Sequence, residues 1–164
     1  MKKSYLFIMC GAPGSGKSYF VKHNLTVDGI VVSRDKIRFS MLSDGEEYFS
    51  KEKAVFKEFV RQIQKGLDNG KVVYADATHL NGVSRLKLLN HLNLKNTDVI
   101  PIFFKTSLET CLARNAKREG RAKVPESALR NMYNSMTSPS NDEEAIGHNL
   151  YKDILYVEEE RNSK

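Results

Sequence analysis

Short apolar runs alternate along the chain with longer stretches in which apolar residues recur at helical spacing. The short runs are typical of buried strands, and they occupy residues 5–10, 30–32, 71–76, 99–104 and 154–157. The intervening stretches predict helices at 18–24, from about 36, at 46–67, 83–92, 108–118 and 125–136, with a short helical turn at 142–144. Right-handed crossovers place such helices on both faces of a sheet. We therefore expect an α/β fold with a mainly parallel, five-stranded sheet, formed by a single domain of residues 1–164.

The longest amphipathic stretch, residues 46–67, is expected to form one helix that packs on the sheet. It contains the aromatic residues Phe49, Phe56 and Phe59. Because most of its apolar residues recur at helical spacing, we assign these rings to the core rather than to base stacking.

Prolines and polar clusters set several expected boundaries. Pro101 indicates an interruption of the fourth strand or an edge position. Pro125 is suited to the first residue of a helix. Residues 137–141 are expected to form a loop, and residues 158–164 a polar tail.

The first predicted strand runs into the sequence GAPGSGKS, which fits the phosphate-binding pattern G-x-x-x-x-G-K-[ST] at every fixed position. Glycines let the backbone approach an anion, so that consecutive N–H groups point at it. The ammonium of Lys17 can then reach the β- and γ-phosphates, and the Ser18 hydroxyl can bind Mg²⁺. The predicted nucleoside triphosphate ligands are Gly11, Ala12, Pro13, Gly14, Ser15, Gly16, Lys17 and Ser18.

Carboxylates follow the second and third predicted strands. Asp35 has two interpretations: with Ser33 it is a candidate helix cap, or it lies at the carboxyl end of a parallel strand, where open sheets bind ligands. Asp76 ends the third strand, a weak Walker B pattern whose carboxylate binds Mg²⁺ or orients a water on it.

The formal net charge is +6, and five of the ten residues from Arg114 to Lys123 are basic. A triphosphate and a polyanionic substrate would both suit this charge.

Cys10 and Cys111 have no metal-ligand spacing, so packing in a reducing compartment is the favoured interpretation. The four histidines also lack paired ligand spacing and are expected to be solvated or locally hydrogen-bonded.

The chain has no apolar stretch as long as a membrane span. Met1, Lys2 and Lys3 lead into a run too short for a signal peptide. We therefore expect a cytoplasmic protein with no membrane contact.

Taken together, the motifs resemble those of the 5′-hydroxyl polynucleotide kinase family. The resemblance covers Met1 to about Met136. It rests on GAPGSGKS, on SRDKIR at 33–38, on DATHLN at 76–81, on RNAKR at 114–118, on Val124-Pro125 and on LRNMY at 129–133. It implies a P-loop kinase fold similar to adenylate kinase, and transfer of the γ-phosphate of ATP, with Mg²⁺, to the 5′-OH end of DNA or RNA.

On the acceptor side, the resemblance implies that Asp35 is the general base and that Arg38 contacts the acceptor end. Arg34 would lie along the nucleic acid, and Asp76 and Thr78 would lie near the acceptor site. A carboxylate in reach of a 5′-OH can orient it and accept its proton.

On the donor side, the resemblance implies a helical lid, at about residues 114–125, that closes on the ATP phosphates. Arg114 and Arg118 belong to it, and their spacing of four places both on one helix face. With Lys17 and Asp35, Arg118 completes the expected catalytic set, since phosphoryl transfer depends on positioning and positive charge. At the position after Thr78 the family more often has Asn, whereas this chain has His79.

Two other functions stay open. The fold also suits a small-metabolite kinase, or a nucleotide-gated binding protein that hydrolyses ATP slowly. The chain has no D-x-D-x-T phosphatase motif, so we expect a stand-alone kinase without a phosphatase domain. The sequence leaves four points open: the preference for RNA or DNA, the preferred end structure, the use of ATP or GTP, and whether the protein forms a homo-oligomer.

Overall fold

The computed structural model describes residues 2–147 and 149–158. His148 and most of the predicted polar tail lie outside the described residues. The strands are β1 (Ser4–Cys10), β2 (Gly29–Ser33), β3 (Val72–Asp76), β4 (Thr97–Lys105) and β5 (Leu155–Glu158). They form one parallel sheet in the order β2-β3-β1-β4-β5, which confirms the predicted architecture.

Helices connect these strands in the order that the apolar pattern predicts. They are α1 (Lys17–Asn24), α2 (Arg34–Met41), α3 (Glu52–Asp68), α4 (Gly82–Asn90), α5 (Leu108–Ala116), α6 (Glu126–Asn134) and α7 (Pro139–Ile146). A 3-10 turn, Gly120–Ala122, lies between α5 and α6. The predicted lid segment thus consists of the end of α5, this turn and the loops around it.

The sheet has an apolar core on each face. Leu6 and Ile8 of β1 belong to the cluster that includes Phe59 and Ile63 of α3. Met9, the residue between Ile8 and Cys10, belongs instead to the other cluster, whose members are Met9, Val21, Tyr74, Ile102 and Phe104. This division follows from the alternation of side chains along a strand, and it fixes the sheet between two layers of helices.

Strand register brings the functional ends together. Ser33 and Asp76 are opposite each other at the ends of β2 and β3, and β1 is the neighbour of β3 on its other side. Ser33 caps α2, since its hydroxyl accepts a hydrogen bond from the Lys36 N–H at 3.2 Å. Ser33 rather than Asp35 is therefore the cap, and the Asp35 carboxylate is available for other contacts.

Several predicted boundaries differ from the structure. Helix α3 begins at Glu52 rather than Glu46, and Phe49 lies in the preceding turns with 57% of its surface exposed. Its assignment to the core is wrong. Pro125 precedes α6 as its N-cap, and the loop predicted at 137–141 gives way at Pro139 to α7, where proline suits the first helical turn.

Pro101 lies in an interior strand, because β4 pairs with both β1 and β5. Pairing with β5 starts only at Ile102, opposite Leu155, so Pro101 has β1 alone as its neighbour. The strand is thus locally an edge there, where a missing N–H interrupts no ladder.

Both cysteines are buried and form no disulfide, in agreement with the packing interpretation. Burial raises the pKa of the Cys10 thiol to about 12, so the nucleophilic thiolate is disfavoured there. Among the described residues, no helix is long and apolar enough to cross a membrane.

Candidate active site

A cleft of about 1890 Å³ opens at the carboxyl ends of the strands. It is the position at which open parallel sheets bind ligands. The predicted site residues that line it are Pro13, Gly14, Ser15, Gly16, Lys17, Ser18, Arg34, Asp35, Arg38, Asp76, Thr78, Arg114 and Arg118. The predicted ligands Gly11 and Ala12, which are both buried at the start of the loop that follows β1, are not among the lining residues.

The phosphate-loop backbone requires glycine at two positions. Gly14 and Gly16 have φ values of +84° and +103°, which L side chains rarely adopt. A Cβ on Gly14 would also lie 2.8 Å from the carbonyl oxygen of Cys111. The loop therefore packs directly on α5 and keeps the open shape that precedes α1.

Neighbouring segments fix the loop by hydrogen bonds to its backbone. The Thr106 hydroxyl donates to the Ser15 carbonyl at 2.7 Å, and Arg114 Nη1 donates to the Gly14 carbonyl at 3.1 Å. At the other end, the Gly11 N–H donates to the Thr78 carbonyl at 2.9 Å. Arg114 thus contacts the loop itself in this structure.

Lys17 is held within the loop. Its ammonium donates to the carbonyl oxygens of Gly11 and Ala12 at 2.6 and 3.1 Å. Burial lowers the pKa of Lys17 to about 8, and the nearby Arg118 charge adds to this effect, whereas Asp76 and Asp35 oppose it. A polyphosphate in the loop would offer this ammonium better acceptors than neutral carbonyls, because charged hydrogen bonds are stronger.

The oxygen donors of a Mg²⁺ site are present beside Lys17. The Ser18 hydroxyl is exposed, and neither it nor the Asp76 carboxylate has a hydrogen-bond partner among the described residues. Burial raises the pKa of Asp76, a cost that a cation would relieve. No group of three or more His, Cys, Asp or Glu side chains in the described ranges is placed to hold a metal. This donor set fits Mg²⁺, which commonly keeps few protein ligands and shares phosphate oxygens and water.

Four residues form what we call the cleft cluster: Asp35, Arg38, Tyr48 and Glu52. Arg38 Nε and Nη2 donate to the two Glu52 carboxylate oxygens at 2.7 and 2.6 Å, and its Nη1 donates to Asp35 Oδ1. The Tyr48 hydroxyl donates to the same Asp35 oxygen at 2.7 Å. The Asp35 side chain is nevertheless 63% exposed, and no described residue donates to its Oδ2 atom.

Arg38 is buried and Arg34 is half-buried, whereas side chains free to bind a substrate would be more exposed. Arg38 is 5% exposed and the pKa of its guanidinium is raised, with burial opposing the stabilising Glu52 hydrogen bonds. Arg34 Nη2 donates to Glu52 at 3.3 Å, and its guanidinium lies over the Phe56 ring. Both arginines thus share the Glu52 carboxylate.

The predicted lid segment contributes several residues to the lining of the cleft. The Asn115 side chain donates to the Val124 carbonyl at 2.6 Å and accepts from the Val124 N–H at 2.9 Å, which closes the segment into a loop. Arg121 Nη2 donates to the Ser43 carbonyl at 3.2 Å. Since Ser43 lies between α2 and α3, the segment contacts the connection between these two helices.

A second group, the buried cluster, consists of Arg85, Asp142 and Tyr151. Arg85 Nε and Nη2 donate to the Asp142 oxygens at 2.7 and 3.0 Å, and the Tyr151 hydroxyl donates to Asp142 at 2.6 Å. Arg85 Nη1 also donates to the His79 carbonyl at 3.0 Å. The cluster therefore ties α4 and α7 to the turn that follows Asp76.

His79 lies in that turn with a φ of +40°. Its ring is buried, and Nδ1 donates to the Met9 carbonyl at 2.8 Å. The pKa of His79 is lowered to about 4, mainly by burial, so the imidazole is neutral at pH 7. The hydrogen bond to Met9 opposes this shift, and the surrounding cations add to it. The expectation of a solvated or locally hydrogen-bonded histidine is wrong here, because the ring is buried and its partner lies 70 residues away in the chain.

Sequence reasoning missed five residues of these two clusters: Tyr48, Glu52, Arg85, Asp142 and Tyr151. Their partners lie 57 residues away in the case of Arg85 and Asp142, so no local spacing connects them. For Glu52, the only available signal was an acidic residue at the start of a helix that follows a basic segment.

A five-stranded parallel sheet with a phosphate loop between β1 and α1 defines a P-loop kinase fold. The chain belongs to the AAA domain family, which matches residues 6–139.

Two curated proteins show more specific similarity. An L-seryl-tRNA(Sec) kinase of Methanococcus maripaludis is 28% identical over 183 aligned residues, which cover 97% of this chain and 68% of that protein. A putative bifunctional polynucleotide phosphatase/kinase of Acanthamoeba polyphaga mimivirus is 28% identical over 153 residues, which cover 92% of this chain and 29% of that protein. The chain therefore spans less than a third of the viral relative.

Solved structures share the fold. A chain of the Pnkp1/Rnl/Hen1 RNA repair complex superposes with a TM-score of 0.71 at 23% identity, over 88% of this chain and 47% of that chain. Chaetomium thermophilum Kti12 in complex with ADP-AlF3 gives a TM-score of 0.65 at 13% identity, over 96% of this chain and 91% of that chain. The family match and the viral relative confirm the predicted resemblance to polynucleotide kinases, and the solved structures show the same fold.

Proposed function

We propose that the protein is a Mg²⁺-dependent polynucleotide kinase that transfers the γ-phosphate of ATP to the 5′-hydroxyl end of RNA or DNA. The observation that carries the proposal is the position of Asp35. Its exposed carboxylate lines the same cleft as the phosphate loop, close enough to Lys17 to act on the pKa of that ammonium.

The reaction follows from this arrangement. The 5′-oxygen forms a bond to the γ-phosphorus while the bond from that phosphorus to the β–γ bridging oxygen breaks, and ADP leaves. The hydroxyl proton passes to Asp35, whose Oδ2 atom receives no hydrogen bond from the described residues. Lys17 and Arg118 offset the charge that develops on the transferred group.

Ser18, together with Asp76 directly or through water, would hold Mg²⁺ against the phosphate oxygens. The ion would supply further charge neutralisation. Arg34 and Arg38 would orient the acceptor end through Glu52 and Asp35, and Thr78 would line its entrance. Arg114, which contacts the phosphate-loop backbone, would complete the donor side.

The test compares Asp35→Asn with Asp28→Asn. Asp28 is a matched control, since its side chain is 55% exposed and forms an ion pair with Lys2 away from the cleft. Asp35→Asn should retain ATP binding and lose roughly 100-fold or more of phosphate transfer to a 5′-OH oligonucleotide, whereas Asp28→Asn should behave as the native protein. Transfer at the native rate by Asp35→Asn would show that Asp35 is not the base.

Lys17→Ala should lose transfer by roughly two orders of magnitude or more. A parallel assay with a metabolite panel tests the alternative of a small-metabolite kinase. Labelling only of a metabolite would overturn the proposed acceptor. Turnover that no acceptor stimulates would instead favour a nucleotide-gated binding protein.

A second candidate acceptor comes from the seryl-tRNA kinase, which aligns with nearly the whole chain. In that case the hydroxyl would belong to a serine carried by tRNA. Offering radiolabelled ATP with serylated tRNA, uncharged tRNA and a 5′-OH oligonucleotide separates the two. Label that alkaline deacylation releases as phosphoserine would favour the second candidate, and label retained on the polynucleotide 5′ end would favour the first.

A further inference from the structure

Aromatic and basic side chains line the cleft beyond the predicted site residues. Phe49, Phe56, Tyr48 and Lys87 all face it, and we call them the aromatic platform. Phe49 is 57% exposed. An exposed phenylalanine in a charged cleft contributes nothing to the core. Burial of its ring by a bound ligand would explain why an apolar side chain lies there.

The platform is continuous with the cleft cluster. The Tyr48 hydroxyl donates to Asp35, and the Tyr48 and Phe49 rings meet edge to face with centroids 4.6 Å apart. The Phe49 ring therefore contacts the tyrosine that donates to Asp35, the proposed general base. The Arg38 guanidinium lies 5.8 Å from the Phe49 ring centroid.

Positive charge accompanies the rings. Lys87 Nζ lies 4.6 Å from the Phe56 centroid, and the Arg34 guanidinium lies 5.4 Å from the same centroid. Lys87 is exposed, and within the described part of the chain it belongs to no ion pair. Arg34, by contrast, is paired with Glu52. Aromatic stacking surfaces beside positive charge are the combination that binds single-stranded nucleic acid.

We propose that the aromatic platform is a binding site for the single-stranded 5′ segment of the acceptor. A base within the first three nucleotides stacks on Phe49, and a following backbone phosphate lies at Lys87. The inference rests on the proposed function, and it adds a preference for unpaired ends. A paired base is stacked on both sides in a duplex, so turning it onto Phe49 would require unpairing and unstacking.

Binding of fluorescent 5′-OH oligonucleotides, measured by anisotropy without ATP, tests the site independently of catalysis. Phe49→Ala should weaken binding roughly five- to 100-fold, because stacking of one base on an aromatic ring contributes about 1–3 kcal/mol. Phe49→Tyr should restore binding, and Phe49→Leu should not. The matched control is Tyr156→Ala, an exposed aromatic residue outside the cleft with Lys105 over its ring.

Abasic substitutions at the first, second and third nucleotides sharpen the test. At one of these positions, loss of the base should weaken binding to the native protein but not to Phe49→Ala, since the stacked pair is already broken. Equal penalties for both proteins at every position would overturn the stacking. Matched RNA and DNA series establish which polymer the site prefers.

Lys87→Ala should reduce the slope of log affinity against log salt by about 0.7, the value for one phosphate contact on a single strand. An unchanged slope would remove Lys87 from the site. A blunt 5′-OH duplex should bind and react more weakly than the same strand alone, and equal use of both would contradict the proposal.

Failure of this inference can be distinguished from failure of the proposed function. If the native protein phosphorylates the oligonucleotide and Phe49→Ala does so with the same kcat/KM, the platform is not an acceptor site and the kinase assignment stands. If the oligonucleotides bind through Phe49 but receive no phosphate, the platform stands and the proposed reaction is wrong.

Discussion

The buried cluster and the cleft cluster contain the same chemical groups. In each, an arginine makes a two-point contact with a carboxylate, and a tyrosine hydroxyl donates to a carboxylate. They differ in access to water. Arg85 and Asp142 have side chains that are 0% and 2% exposed, whereas Asp35 is 63% exposed.

We infer from this difference that the buried cluster has a structural role and that the cleft cluster has a chemical one. In the buried cluster, the arginine has protein partners for Nε and for both Nη atoms, so the group fixes α4, α7 and the His79 turn. In the cleft cluster, the same kind of contact holds Arg38 in place, and one carboxylate oxygen of Asp35 faces the cleft. The same type of ion network is therefore buried in one place and open to the cleft in another, and variants should show whether the two differ in role.

The largest effect is expected when the buried cluster loses its cation. Arg85→Met should lower the free energy of unfolding by about 3–5 kcal/mol, because it leaves the charge of the buried Asp142 carboxylate uncompensated, with only the Tyr151 hydroxyl still donating to it. Urea denaturation followed by circular dichroism measures the change. Arg61→Met is the control, since Arg61 makes an exposed two-point contact with Glu58 and should cost at most about 1 kcal/mol. Equal effects of the two variants would remove the contrast in burial.

Acidification provides the next largest effect through His79, whose carbonyl belongs to the contacts of the buried cluster. Its pKa is about 4 in the folded protein, below the ordinary value of 6.5. The unfolded chain therefore binds the proton more readily, and stability should fall as the pH drops from 6.5 towards 4. From this residue alone, the free energy of unfolding should be about 2 kcal/mol lower at pH 5 than at pH 7.

His79→Asn tests that contribution. Asparagine tolerates positive φ and carries an N–H donor for the Met9 carbonyl, but it does not titrate. The variant should lose about 2 kcal/mol of the pH dependence between pH 7 and 5, measured by urea denaturation at each pH. An unchanged dependence would assign the acid sensitivity to other groups.

The architecture was predictable because its signals are local. Strand runs, helical spacing and the phosphate-loop pattern each depend on neighbouring residues. The parallel direction of the strands followed from the alternation of strands and helices. The same locality explains the error at Phe49. Its apolar character extended the helical pattern of 46–67, but the chain turns before Glu52, and sequence alone does not show which face another element covers.

The site was predictable in part. The resemblance selected Asp35, Arg38 and Asp76, and all three line the cleft. It did not indicate that Arg38 would be buried against Glu52, because that contact depends on how α3 packs beside α2. Nor could local spacing link Arg85 to Asp142, although their ion pair supports the turn beneath the phosphate loop.

In the cleft cluster, Arg38→Lys should affect transfer more than stability. Lysine retains the charge but cannot contact both Glu52 oxygens while donating to Asp35. We expect about a tenfold lower kcat for oligonucleotide phosphorylation, which is about 1.4 kcal/mol of transition-state stabilisation. ATP affinity should be unchanged, and the free energy of unfolding should fall by only about 1 kcal/mol, because water reaches the other members.

Single-turnover transfer, calorimetric ATP binding and urea denaturation provide the three measurements. Arg130→Lys is the control, since Arg130 makes one exposed contact with Glu126. If Arg38→Lys destabilised the protein as strongly as Arg85→Met and left transfer intact, the cleft cluster would be scaffold as well.

The smallest expected effect is a change in the protonation of Lys17 when ATP binds in the cleft. With a pKa of about 8, its amine is mostly neutral at pH 9 in the nucleotide-free protein. Triphosphate favours the charged form, so ATP binding at pH 9 should take up roughly 0.5 to 0.9 proton, and affinity should fall as pH rises above 8. His79 should show no such response, because its ring is buried and hydrogen-bonded to the Met9 carbonyl.

Isothermal titration calorimetry in buffers of different ionisation enthalpy measures this uptake as the slope of observed binding enthalpy. Lys17→Met should bind ATP more weakly at pH 9 and take up no proton. At pH 9 the γ-phosphate is fully ionised, so its own titration does not contribute. A native slope of zero, with ATP bound, would mean that the ammonium stays on the Gly11 and Ala12 carbonyls and does not respond to the phosphates.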